Sequence, residues 1–194
     1  MTASDLVAAV RPVLDVLRDL GVRHYVGGSI ASSAHGVARS SVDADVVAEL
    51  RPEHADRLCS ALQGVYYLPE ARIRDGLARK TSFNVIHLET MLKVDVFVSK
   101  GRPFDRRAME RASAAAPQTA DEPPLPLASA EDTILAKLEW FRRGGEISER
   151  QWTDVLGVLR AGVASLDRRY LEEGARELAV ADLLERALGE TAGA

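Results

Sequence analysis

Apolar residues recur at helical spacing over the first twenty positions: Leu6, Val10, Val13, Leu14 and Leu17 fall close to one stripe. The spacing predicts a helix over 4–20, capped by Ser4 and stopped by Gly21, with Pro12 either delaying its start or kinking it. The period then shortens to two. Tyr25 and Val26 suit a strand over 23–27, and the Gly27-Gly28-Ser29 turn leads into a short helix over 30–36. A second strand is expected over 41–49, and Arg51-Pro52-Glu53 opens a helix that runs to Leu62 with proline in its first turn. Residues 65–80 hold no single period and read as a short strand, a loop and a helical turn. Thr81–Leu88 and Thr90–Val98 alternate as the two strands of a hairpin.

Beyond this point the pattern is helical. Pro103–Ala115 reads as a helix, and the stretch to Leu127, with Pro117, Pro123, Pro124 and Pro126, reads as a loop or linker. Ser129-x-x-Asp132 resembles a capping box ahead of Ile134, Leu138 and Phe141. Gly144-Gly145 ends that helix. Ser148-x-x-Gln151 opens the next, with the stripe Trp152, Val155, Leu156 and Leu159, and residues 165–190 add one or two more. The expected architecture is α/β: a small mixed, twisted sheet with packed helices over 1–116, a Pro-rich linker over 117–128, and a helical bundle over 129–194. The functional site is expected between the two parts.

The alternation also sorts the chemistry. In a strand, Arg39, Ser41, Asp43 and Asp45 point to one face, and Val42, Ala44 and Val46 to the other. Two carboxylates ~6 Å apart repel by about 3 kcal/mol at an effective dielectric near 20. Water screens this on an open surface, and a divalent cation removes it in a cleft. A helix that starts in a glycine turn aims free N–H groups and a positive dipole end at whatever sits there, which suits phosphate. A phosphate cradle beside paired carboxylates suggests metal-assisted phosphoryl or nucleotidyl transfer. Farther along, Lys93, Asp95 and Phe97 share a face opposite Val94, Val96 and Val98, so Asp95 is a carboxylate within a very apolar strand. Lys137 has Ile134, Trp140 and Phe141 around it on its helix. It either lays its stem on apolar surface and lifts its charge into water, or holds that charge against a triphosphate.

The pattern Gly27-Gly28-Ser29, thirteen residues, then Asp43-x-Asp45 resembles the nucleotidyltransferase superfamily of the polymerase-β type. With Gly36, Arg39 and Ser41 before the aspartate pair, it looks most like the toxin-type nucleotidyltransferases of the type IV abortive-infection group. The segments around Lys137 and Gln151-Trp152-Thr153-Asp154 resemble the same group, which carries a lysine on one helix and an aspartate on the next, both turned to the nucleotide. The resemblance covers roughly residues 22–160 in four separated pieces. It implies a two-ion Mg2+ site on Asp43, Asp45 and Asp95, the third carboxylate coming from a later strand of the same sheet. It further implies an NTP, ATP among them, as substrate, held by Gly27, Gly28, Ser29, Arg39 and Lys137, with Asp154 orienting Lys137 or the acceptor. The implied partners are an RNA acceptor, tRNA above all, and a cognate antitoxin. A similar glycine–aspartate spacing occurs in antibiotic adenylyltransferases, which commonly carry tryptophan where this chain has Ser29. A catalytically silent relative that binds a nucleotide or a partner protein is the third reading.

Bulk properties narrow the field. A net charge of −4 excludes a generally basic nucleic-acid coat. Two local basic clusters remain, Arg72, Arg74, Arg79 and Lys80, and Arg102, Arg106, Arg107 and Arg111; each is mixed with acids and reads as a solvated face for most of its residues, with RNA phosphate contacts as the alternative. No apolar run approaches a membrane span. The acidic start lacks the basic region of a signal peptide, so a cytoplasmic location is expected. The single cysteine, Cys59, suits a small core position. His24, His35, His54 and His87 show no ligand spacing and read as surface or turn residues. No Walker lysine, G-x-G-x-x-G or G-x-S-x-G accompanies the glycine turn.

Overall fold

The structure is a computed structural model that describes residues 3–36, 43–114, 124–162 and 164–192. Helix α1 (Ala3–Asp19) runs through Pro12 and begins one residue ahead of Ser4, its expected cap. Then come β1 (His24–Val26), α2 (Gly28–Ala34), β2 (Asp43–Ala48), a 3-10 turn (Pro52–His54), α3 (Ala55–Leu62), β3 (Tyr66–Tyr67), α4 (Glu70–Arg79), β4 (Ser82–His87) and β5 (Lys93–Val98). The short strand expected within 65–80 is β3, and the loop and helical turn expected after it are one helix, α4. Helix α5 (Pro103–Arg111) stops four residues short of the expected Ala115. Two short strands follow, β6 (Ser113–Ala114) and β7 (Pro126–Leu127), so the expected linker supplies a strand at its far end. Helices α6 (Ala130–Arg143), α7 (Glu149–Gly162), α8 (Arg168–Glu177) and α9 (Ala181–Ala192) complete the described chain.

The strands form one mixed sheet in the order β3-β4-β5-β2-β1-β7-β6. Pairs β2–β5 and β1–β7 are parallel and the others antiparallel, including the expected β4–β5 hairpin. Strict alternation gives the sheet two different faces. Ala44, Val46, Ala48, Val85, Val94, Val96 and Val98 are buried against Val10, Val13 and Leu17 of α1, Leu58 and Leu62 of α3, and Ile73 and Leu77 of α4. Cys59 lies in this core, as expected. On the opposite side Tyr25 and Val47 join a second core built by Ile134, Leu138 and Phe141 of α6, Val155 and Leu159 of α7, and Leu171 and Leu184 of α8 and α9. That face carries the aspartates.

His87 departs from the surface reading. It is buried, packs on Tyr66 with ring centroids 5.3 Å apart, and shares a hydrogen bond with the Thr90 hydroxyl at 2.9 Å. His35 ends α2 and bonds the Ala128 carbonyl at 2.8 Å, tying that helix to the chain entering α6.

Candidate active site

The glycine turn is held from two sides. Gly27 N–H donates to the Asp45 carbonyl at 2.9 Å, extending the β1–β2 ladder by one residue. Gly28 then turns with φ of +54°, and a Cβ placed there would sit 1.7 Å from Asp45 Oδ2. Both the backbone angle and the space demand glycine. Helix α2 therefore starts at Gly28 itself, two residues earlier than expected, with its first turn against Asp45. The Ser29 side chain is buried, its hydroxyl 3.5 Å from the Asp43 carbonyl, and Ser32 donates to the Gly28 carbonyl at 2.8 Å. Gly28→Ala should destabilise the protein by about 1–3 kcal/mol, because turn and carboxylate cannot both keep their places. Melting of that variant checks this, and a wild-type value would show that the turn does not press on Asp45.

Asp43, Asp45 and Asp95 occupy one face of adjacent strands. In the parallel β2–β5 pair, Asp45 stands opposite Asp95 and Asp43 opposite Lys93. Directly paired Cα atoms lie ~4.8 Å apart, so the carboxylates of Asp45 and Asp95 share one small space. Burial, then the charges of Asp43 and Asp95, push the Asp45 carboxyl up to about 6, with partial relief from Lys137 and Lys93. Lys93 Nζ lies 2.6 Å from Asp95 Oδ2, and that hydrogen bond raises the lysine's own pKa. Asn84 of β4 pairs with Asp95 from the other side, completing a row Asp45–Asp95–Asn84 across three strands. Phe97 continues the face and meets Trp140 of α6 edge-on, with centroids 5.6 Å apart.

Lys137 does not lift its charge into water. Its ammonium is buried, 2.8 Å from Asp154 Oδ2 and 3.2 Å from Gln151 Oε1, both on α7. Asp154 is buried as well, so the lysine–aspartate pair expected on successive helices is a closed ion pair whose positive end bears on Asp45. Arg39 and Ser41 lie outside the described residues. Lys93, Asn84 and Gln151 are site neighbours to which the sequence assigned no site role. Lys93 was visible as the residue two before Asp95 on a strand, whereas Asn84 and Gln151 needed the register and the helix packing.

Arg102, Arg107 and Arg111 are half-buried in ion pairs, whereas Arg72, Arg74, Arg79 and Lys80 stay exposed. Arg102 is clamped by Asp105 at 2.8 Å and Glu139 at 2.6 Å, Arg107 meets Glu177 at 2.5 Å, and Arg111 meets Glu131 at 2.8 Å. Arg106 bonds the Gly101 carbonyl. In the other cluster Arg74 pairs with Asp56 and Arg79 with Asp75, each at 2.7 Å. The cluster on α5 thus ties that helix to the helical bundle.

Among the described residues no group of three His, Cys, Asp or Glu side chains stands ready to hold a metal ion. The donor set itself suits Mg2+: it is all oxygen, it is crowded with like charge, and Asp45 resists ionising without a cation. One Asp95 oxygen is already engaged by Lys93.

No protein-family model matches the sequence, and no curated protein matches it either. Among solved structures, the chain is similar to the antibiotic-resistance factor ANT(2'')-Ia in solution, with a TM-score of 0.56, 15% identity, and coverage of 98% of this chain and 100% of that one. It is similar to ANT(2'')-Ia in complex with adenylyl-2''-tobramycin, with a TM-score of 0.53, 13% identity, and coverage of 92% and 98%. An antigenic nucleotidyltransferase-like protein from Paracoccidioides brasiliensis gives a TM-score of 0.53 at 16% identity over 97% and 94%. The fold is the nucleotidyltransferase α/β fold, as expected. Among the described residues no helix is long and apolar enough to cross a membrane.

Proposed function

We propose that the chain is a Mg2+-dependent nucleotidyltransferase that moves a nucleoside monophosphate from an NTP to an acceptor hydroxyl. The supporting observation is the carboxylate row: Asp45 and Asp95 in register on parallel strands, and Asp43 one step along the same face, against a turn that only glycine can make. Asp43, Asp45 and Asp95 would hold Mg2+ in a two-ion site, which when bound neutralises triphosphate charge and lowers the pKa of the attacking hydroxyl. The acceptor oxygen bonds to the α-phosphorus as the bond to the departing pyrophosphate breaks, and Asp95 receives the acceptor's proton. Gly27, Gly28 and Ser29 would face the phosphates, and the sequence resemblance adds Arg39 to the nucleotide-binding set. Lys137, already fixed by Asp154 and Gln151, offers a cation that needs no reorganisation during transfer.

For the acceptor we adopt a small hydroxyl compound. Of the basic residues that would contact RNA phosphates, Arg102, Arg107 and Arg111 are paired with carboxylates of the helical tail. One fold neighbour was solved with adenylyl-2''-tobramycin. The RNA reading, with tRNA as acceptor and an antitoxin in control, rests on the sequence resemblance.

Incubating the protein with Mg2+, each α-labelled NTP, and either total RNA or a pool of antibiotics should move label to a small molecule. The KM for that acceptor should change little between low and moderate salt. Labelled RNA, with a KM that climbs steeply with salt, would replace this acceptor reading, since each phosphate contact releases counterions. No transfer from any NTP to either pool would overturn the enzyme reading.

A further inference from the structure

We propose that Lys93 is a built-in counter-ion for the carboxylate site, one that competes with the divalent cation and so sets the site's metal affinity. This rests on the metal reading above. Lys93 is the first residue of β5 and stands opposite Asp43 in the parallel register. Its ammonium reaches forward along the same face to Asp95 Oδ2 at 2.6 Å. It thus lies among all three carboxylates and holds one of the oxygens that a metal would need.

The two lysines of the site are built differently. Lys137 has a side chain only 7% exposed and is fixed by Asp154 and Gln151. It cannot leave without stranding its charge. The Lys93 side chain is 42% exposed and ends in a compact ammonium on a flexible stem. It can swing into water at little cost, which releases Asp95 to turn toward a metal. A tethered cation of this kind limits carboxylate repulsion while no metal is bound and gives way when one arrives.

The test measures Mn2+ and Mg2+ binding by calorimetry without nucleotide, on wild type, Lys93→Met and Lys93→Arg, with melting curves in EDTA. Lys93→Met removes the competitor and should bind Mn2+ at least about five-fold more tightly. The same variant should melt lower than wild type in EDTA and gain more from added metal. Lys93→Arg keeps the charge and holds a carboxylate with a two-pronged fork, so it should bind Mn2+ more weakly than wild type. A purely structural lysine would shift melting in EDTA without this opposed pair of affinity changes. Equal affinity in all three proteins overturns the role of Lys93 and leaves the metal reading standing. If Lys93→Met fails to fold, Lys93→Arg carries the test alone, and affinity at or above wild type overturns the proposal. No metal binding in any folded protein of the set overturns both readings.

Discussion

Replacing Asp45 by asparagine is expected to abolish nucleotide transfer and, at the same time, to stabilise the metal-free protein. Asp45 is the carboxylate most enclosed by others: Asp43 precedes it on its strand face, Asp95 stands across the ladder, and the Gly28 backbone presses on it. On the proposed reading Asp45 is a direct metal ligand, and its loss removes several kcal/mol of transition-state stabilisation, so turnover should fall at least about 1,000-fold. The stability effect has the opposite sign. Its carboxyl is raised from 3.8 to about 6 in the folded protein, chiefly by burial and then by Asp43 and Asp95. The native state therefore binds a proton more readily than the unfolded chain, and stability falls as pH climbs through roughly 4 to 6. Above that window the cost of the wild-type anion is about 3 kcal/mol. Asp45→Asn escapes it, so its melting temperature in EDTA at pH 7.5 should exceed wild type by several degrees, and the gap should close near pH 4. Calorimetry at the two pH values with a transfer assay at pH 7.5 checks both halves. A variant that still transfers nucleotide would remove Asp45 from the metal reading, and one that melts below wild type at pH 7.5 would show that the buried anion carries no such cost.

The sequence made the carboxylate face legible because strand alternation has a period of two. Once Asp43, Asp45 and Asp95 sit on alternating apolar strands, the buried valines decide where the aspartates point. The pairing of Asp45 with Asp95 was not legible, since it joins residues fifty positions apart through sheet packing. Helix α4 was read as no more than a turn for a local reason. Ile73 and Leu77 are its buried large residues, and Gly76 argues against a helix. That glycine answers to tertiary packing, because a Cβ there would meet the Ser82 carbonyl at 3.1 Å. The partners of the second arginine cluster were not legible in its own segment. Arg102, Arg107 and Arg111 are neighbours in sequence, but Glu139, Glu177 and Glu131, which neutralise them, come from the helical tail. Lys137 allowed two readings on its own helix, and only the packing of α7 against α6 supplied the Asp154 carboxylate that holds it inside.

That ion pair gives the second large effect. Lys137 and Asp154 are both almost fully buried and 2.8 Å apart. Removing either partner leaves a charge in a low-dielectric interior, so Asp154→Ala and Lys137→Met should each cost about 3–5 kcal/mol of stability. Removing both at once replaces two buried charges with apolar surface, and such replacements are often neutral or better. The double variant should therefore be more stable than either single one, far from the sum of the two losses. Activity should behave otherwise. If Lys137 supplies a fixed cation to the triphosphate, transfer is lost in Lys137→Met and stays lost in the double variant although stability returns. Asp154→Ala should lose transfer too, because an ammonium freed from its clamp must be re-ordered in every turnover. Denaturant melts of the four proteins of the cycle, each beside a transfer assay, separate the two effects. A double variant as unstable as the summed singles would show that the charges are not coupled, and a Lys137→Met protein with wild-type transfer would leave the pair a purely structural clasp between α6 and α7.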